Sequence, residues 1–210
     1  MDGFGGLLAG YRRFRENRYE AERTRWRRLA EGQSPKAIII ACCDSRADPA
    51  TIFDSDPGEI FVVRNVANLV PPFEADGGRH GVSAALEFAV TQLGVESVVV
   101  MGHERCGGIE AALTGCFHDA PAGEGGFVAR WMEQIDAPAA EIAREHGTGE
   151  DAARILEEVA IRRSLDNLRS FPFVAEREAA GKLKLLGCHF SISEGQLYML
   201  DEAEDIFHPV

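Results

Sequence analysis

Two short fragments hold the side chains of this chain whose types and spacing can do chemistry together. Cys42-Cys43-Asp44-Ser45-Arg46 follows Ala37-Ile38-Ile39-Ile40-Ala41, and His103-Glu104-Arg105-Cys106 follows Ser97-Val98-Val99-Val100-Met101. Two thiolates and an imidazole delivered by the ends of two buried strands make a Cys2His zinc site. Three protein ligands leave a fourth position open, as catalytic zinc sites do. Proteins built of alternating strands and helices place active sites at the carboxyl ends of their strands, so the pair of fragments points to an enzyme. A closed structural zinc site, or three unrelated buried residues, is the bland alternative.

In an extended segment the side chains at i, i+2 and i+4 share a face. Cys42, Asp44 and Arg46 are therefore expected on one side, and Cys43 on the other as a small buried residue that does not ligate the same metal. His103 and Cys106, three residues apart, fall on one side of a turn entering a helix, where Gly102 and Gly107-Gly108 let the backbone bend tightly. Two thiolates cancel the charge of Zn2+, so the ion acidifies its water less than it would among three neutral imidazoles. Asp44 can accept a hydrogen bond from the resulting hydroxide. Arg46 can hold Asp44 as a bidentate ion pair and keep it off the metal, where it would otherwise be a fourth ligand.

The elements that must position these residues alternate along the chain. Lys36–Cys42 reads as a strand, then Asp48-Pro49 as a helix cap and first-turn proline opening a short helix through Phe53. Glu59–Arg64 is a second strand, and residues 65–72 form a non-periodic loop that Pro71-Pro72 keeps from being helix or central strand. Val82, Ala85, Leu86, Ala89, Val90 and Leu93 make one helix face over about 78–93, closed by Gly94. Ser97–Gly102 is the third strand, and a helix runs from Gly107-Gly108 to about Thr114. A helix-rich stretch covers 127–171, and Lys182–Ser191 and Gln196–Leu200 read as strands joined through Glu194-Gly195 as a hairpin. The pattern predicts an α/β fold with a mostly parallel central β-sheet flanked by helices. Apolar residues from Phe4 to Leu29 recur at helical spacing. They predict an N-terminal helical arm over 1–34 ahead of a catalytic domain over 35–210; the arm is expected across another subunit, as an oligomer contact, or across the domain's outside, and a solvated charged helix with a core stripe is the bland alternative.

Composition sets the outer bounds. The 210 residues carry a net charge of −12, which excludes a nucleic-acid partner. The charge is uneven: residues 1–36 hold nine Lys/Arg and five Asp/Glu, about +4, leaving about −16 on the rest. Five cysteines in no regular framework disfavour a disulfide scaffold. No apolar run is long enough for a signal peptide or a membrane span, and Glu16, Glu20 and Glu22 interrupt the arginines that could suggest a transit peptide. The expectation is a cytoplasmic protein with no membrane partner. Of the histidines, His80 reads as a surface residue or a proton path, His189 as structural, and His118, His146 and His208 as lacking ligand spacing.

With these fragments in place, the chain resembles the β-class carbonic anhydrases from about Gln33 to Leu200. The CxDSR and GHxxCGG fragments carry the likeness. Pro57-Gly58-Glu59, Arg64-Asn65-Val66-Ala67-Asn68 and Ser164-Leu165-Asp166-Asn167-Leu168 extend it. The resemblance implies zinc held by Cys42, His103 and Cys106, an Asp44–Arg46 dyad, and attack of zinc-bound hydroxide on CO2 to give bicarbonate and a proton. It also implies a homodimer or homotetramer with an active site at each subunit boundary and N-terminal helices embracing the neighbour. Gln33, Phe61, Val66, Phe88 and Gly107 match the family's substrate pocket, whose apolar walls suit CO2.

A regulated subclass binds bicarbonate beside the site with a tryptophan, a tyrosine and an arginine. Here those positions are Ile39, Phe190 and Arg64, which implies an open site without bicarbonate switching. Two other readings remain at this stage: a hydrolase of CS2 or COS on the same fold, and a zinc-stabilised interaction protein with a closed site.

Overall fold

The structure, a computed structural model, describes residues 3–76 and 78–210. It divides into two compact units, residues 1–34 and 35–210. Met1 and Asp2 of the expected arm lie outside the described residues. The first unit contains α1 (Gly3–Arg13), a π-helical turn over Phe14–Tyr19 and α2 (Arg23–Glu31), none of which buries a residue. Its apolar contacts are an aromatic cluster in which the rings of Phe14 and Tyr19 both pack on Trp26, at centroid distances of 5.5 and 6.1 Å.

The second unit is built on six strands: β1 (Ala37–Cys42), β2 (Ile60–Asn65), β3 (Ser97–His103), β4 (Lys184–Ser191), β5 (Gln196–Asp201) and β6 (Ile206–Pro209). Their order in the sheet is β2-β1-β3-β4-β5-β6, with the first four parallel and the last two antiparallel. Uninterrupted apolar runs such as Ala37–Cys42 and Ser97–Met101 suit strands covered on both faces. Ile38, Ile40, Val98 and Val100 are completely buried on one face, and Ile39, Val99 and Met101 nearly so on the other. Each such side chain contributes roughly 1.5–3 kcal/mol of burial.

From β1 the chain moves outward to β2, and from β2 it crosses back to β3 on the opposite side of β1. The strand order therefore reverses between β1 and β3, and the carboxyl ends of that pair form a crevice open to a ligand. The remaining helices are α3 (Pro49–Ile52), α4 (Gly81–Glu87), α5 (Gly107–Thr114), α6 (Gly126–Met132), α7 (Asp136–His146), α8 (Glu150–Arg169) and α9 (Pro172–Ala179). The twenty-residue α8 lies across β3 and β4. Its buried face runs through Leu156, Ala160, Ile161, Leu165 and Leu168.

The expected α/β architecture is present, with four differences. The helix over 78–93 begins only at Gly81 and relaxes into a π-helical turn over Phe88–Leu93. The loop over 65–72 contains a short 3-10 turn at Val66–Asn68. Helix α9, whose proline at the first position pre-sets its backbone, follows the predicted helical stretch. Strand β6 adds to the hairpin, and α8 anchors that addition: Arg162 donates to the Asp205 carboxylate at 2.5 Å, and Arg169 pairs with both Glu178 and Glu202.

Close approach of α8 to the sheet depends on side chains that are missing. A Cβ on Gly187 of β4 would lie 2.8 Å from Ile161 Cγ2 and 3.1 Å from Leu165 Cδ1. Gly187→Val is therefore expected to destabilise the protein by about 1–3 kcal/mol through overpacking. The check is urea unfolding, in which the midpoint falls at constant m-value; an unchanged midpoint would show that α8 tolerates displacement.

Candidate metal centre and active site

Strands β1 and β3 end side by side, and each ends on a donor. Cys42 is the last residue of β1 and His103 the last of β3, while Cys106 caps the start of α5 three residues later. All three residues are buried, and their candidate donor atoms lie within 4.8 Å of one another. The two sulfurs are 3.8 Å apart. Nδ1 of His103 lies 2.9 Å from the carbonyl oxygen of Glu104, which can only accept, so the ring proton sits there. Among the described residues, Nε2 is left buried with no hydrogen-bond partner. Two sulfurs and an imidazole nitrogen in this state fit a soft, tetrahedral cation such as zinc.

The electrostatics agree. The Cys42 thiol is drawn down to about 4, chiefly because it accepts a hydrogen bond from Cys106, while burial opposes the shift. Cys106 is pushed strongly upward by the same contact and by its own burial. Without a cation the pair holds one thiolate and one thiol; a divalent ion removes the reason for the second sulfur to keep its proton.

Asp44 and Arg46 form the expected pair, but not by strand alternation. The chain leaves the sheet at Cys42 and turns, with Ala47 N–H donating to Asp44 O at 3.1 Å. Within that turn Arg46 donates from Nε to Asp44 Oδ1 at 3.0 Å and from Nη2 to Oδ2 at 2.7 Å, and its backbone N–H also reaches Oδ1 at 2.9 Å. Arg46 holds the Asp44 carboxyl well below the usual carboxylate range. Nη2 of Arg46 also donates to Arg105 O at 3.0 Å, tying the first fragment to the second. The same turn corrects the expectation for Cys43. Once the strand has ended there is no inner face for it, and its side chain is exposed.

Arg64 is the template for this turn. Nε donates to Cys42 O at 2.8 Å, Nη2 to Asp44 O at 2.5 Å, and Nη1 to the Asp48 carboxylate at 2.8 Å. Asp48 in turn caps α3 by accepting from Thr51 N–H at 3.0 Å. The loop after β2 closes the other side. Ala67 and Asn68 have φ of +62° and +47°, successive left-handed residues that cost on the order of 1–2 kcal/mol each. Their conformation is held by Asn65, whose amide bonds both N–H and C=O of Leu69, and by α8. Ser164 accepts Val70 N–H at 3.2 Å and Asn167 donates to Val70 O at 2.8 Å. Gly108 is required beneath the loop, because a Cβ there would lie 2.6 Å from Val66 Cγ1.

The five positions expected to line a substrate pocket separate into groups. Val66, 36% exposed, and Gly107 lie beside the donors, through the contact at Gly108. Phe61 precedes Asn65, the partner of Cys42, by four strand positions, or about 13 Å. It stacks with Phe88, 5.9 Å between centroids, against the core cluster on the α4 side. Within one chain Phe61 and Phe88 are therefore not gathered at the donors. Gln33 lies in the N-terminal unit, exposed. Of the histidines, His189 is completely buried, whereas His80 and His208 each stand near two carboxylates at half-buried or exposed positions. Glu157, buried on α8 and bonded to Cys106 N–H at 3.1 Å, was not singled out from the sequence. A lone acid on the apolar stripe of a helix was the signal that could have found it.

Comparison with known proteins agrees with this geometry. The sequence profile of the family described as carbonic anhydrase matches residues 37–197. "Beta carbonic anhydrase 3" of Arabidopsis thaliana is 38% identical over 207 residues, 96% of this chain and 79% of that protein. The solved structure of the β-carbonic anhydrase CcaA superposes with a TM-score of 0.90 at 30% identity, over 100% of this chain and 93% of that one. One of two tetrameric β-carbonic anhydrases from Sordaria macrospora superposes with a TM-score of 0.80 at 26% identity, over 95% and 98% of the two chains. The chain belongs to the β-class carbonic anhydrase family.

Proposed function

We propose that this chain catalyses the reversible hydration of carbon dioxide to bicarbonate and a proton, using zinc held by Cys42 Sγ, His103 Nε2 and Cys106 Sγ. The observation that carries the proposal is the buried His103 Nε2 without a partner, grouped with two sulfurs 3.8 Å apart. Zinc bound there supplies a Lewis acid that makes water a nucleophile near neutral pH. The chain's own residues do the rest. Asp44, kept ionised by Arg46, is the acceptor that orients the attacking water through its proton. Because Arg46 engages both carboxylate oxygens, Asp44 is turned away from becoming a ligand, which supports an open fourth position.

Val66 and Gly107 leave an approach beside the donors that is apolar and, at Gly107, free of a side chain, suited to a substrate with no charge. Phe61, Phe88 and Gln33 complete the pocket in this reading only if a second copy supplies them, which places the active site at a subunit boundary. The Sordaria relatives, described as tetrameric, support assembly. The N-terminal arm, with exposed Phe4, Leu7 and Tyr11, is the proposed contact with the neighbour. Among the described residues no helix is long and apolar enough to cross a membrane.

Bicarbonate switching is not part of this reading. The Arg64 guanidinium is occupied by the backbone carbonyls and carboxylate that shape the turn, and Ile39 is buried in the sheet.

Two measurements test the proposal. In a stopped-flow CO2-hydration assay the zinc-loaded protein is expected to outpace Asp44→Asn about 100-fold, within the usual range for a proton-handling group. Cys106→Ala should lose the metal and the activity together. A wild type no faster than either variant rejects the assignment. Separately, zinc titrated into the metal-free protein at pH 7.5 should release about one proton or more per ion, because Cys106 must give up its proton. Calorimetry in two buffers of different ionisation enthalpy measures this, and zinc binding without proton release would exclude the thiol pair as ligands.

A further inference from the structure

Behind Cys106, α8 buries a carboxylate that has no place in the chemistry above. Glu157 is 3% exposed. Its Oε1 accepts the backbone N–H of Cys106 at 3.1 Å, and its Oε2 lies 2.8 Å from Nε2 of His189, itself completely buried on β4. Nη1 of Arg154 lies against the face of that ring, 2.5 Å from Nδ1 and 3.3 Å from Nε2. Arg154 then emerges toward the surface, where its Nε donates to Glu158 at 2.8 Å and its guanidinium lies 5.2 Å from the centre of the Tyr198 ring.

Each bond of Glu157 has only one polarity. An ionised carboxylate accepts and cannot donate, so the ring nitrogen that faces it, Nε2, carries the proton. Nε2–H then donates to Glu157 Oε2, which leaves Oε1 for Cys106 N–H. Cys106 caps α5, and the residue that would ordinarily reach back to a cap's N–H stands three positions on. That residue is Ile109, which cannot do so. Glu157 supplies the bond from another helix. Charge-assisted bonds of this kind are roughly twice as strong as neutral ones, and a fully satisfied buried network fixes a single arrangement.

We propose that Glu157, held in place by His189, is a positioning residue that fixes the peptide of Cys106 and with it the direction of the Cys106 sulfur. The inference rests on the zinc reading only where metal affinity is used to test it.

Glu157→Leu and Glu157→Gln separate this role from simple space filling. Leucine fills the space and accepts no hydrogen bond. Glutamine can keep both bonds: its amide oxygen accepts Cys106 N–H, and its NH2 donates to Nε2 once His189 carries its proton on Nδ1.

Zinc affinity, measured by competition with a chelator on the full chain, is expected to weaken 10–100-fold in Glu157→Leu, the usual cost of losing a group that orients a ligand. It should stay within about threefold of the wild type in E157Q. Glu157→Leu binding zinc as the wild type does, or E157Q binding as weakly as Glu157→Leu, overturns the inference. Should Glu157→Leu fail to fold, 15N NMR of His189 in the metal-free wild type decides: a proton on Nε2 is expected, and one on Nδ1 alone overturns it. A wild type that binds no zinc would defeat the proposed function, while the tautomer measurement would still judge the relay.

Discussion

Two buried sulfurs 3.8 Å apart cannot both be thiolates unless a cation lies between them, and the surrounding structure is arranged around that constraint. Strand order supplies the place, since β1 and β3 diverge toward opposite sides and leave their carboxyl ends facing a crevice. The apolar strands supply a surrounding dry enough that opposite charge there is strongly felt. His103 then adds a nitrogen whose ring proton is already committed to Glu104 O, which leaves its other side able to bind a metal.

Two arginines handle the backbone that such a site leaves exposed. Arg64 gathers the carbonyls of Cys42 and Asp44, and Arg46 holds Asp44 and reaches Arg105 O. A planar fork with several fixed donors does this better than a lysine could. Helix α8 is the common support: Ser164 and Asn167 hold the strained Ala67-Asn68 loop, Glu157 holds Cys106, and Ile161 packs over Gly102 and Gly187. One helix thus braces the loop beside Cys42, the peptide of Cys106 and the strand that ends in His103.

The strands, their parallel order and the pairing of the two fragments were legible in the sequence because each depends on short-range patterns. Continuous β-branched runs mark central strands, and a ligand directly after such a run must sit at a strand end. The Asp44–Arg46 pair was legible from residue type, although the turn that makes it was not. Alternation along a strand gave the right neighbours for the wrong reason, and the same assumption misplaced Cys43 in the interior. Strand β6 was not legible because it is four residues long, pairs only with β5, and has its anchors, Arg162 and Arg169, remote in sequence. Glu157 escaped for a similar reason: its two partners lie 51 and 32 residues away. Phe61 and Phe88 show the converse limit, since a single chain leaves them about four strand positions below the donors.

The central claim is that Cys42, His103 and Cys106 alone bind the metal while Arg46 holds Asp44 off it. A crystal structure of the zinc-loaded protein at mildly alkaline pH tests it most directly. The account predicts zinc on Cys42 Sγ and Cys106 Sγ at about 2.3 Å and on His103 Nε2 at about 2.0 Å, with Asp44 still bidentate on Arg46. Zinc bound by an Asp44 oxygen at that pH, with the Arg46 pair broken, would contradict it.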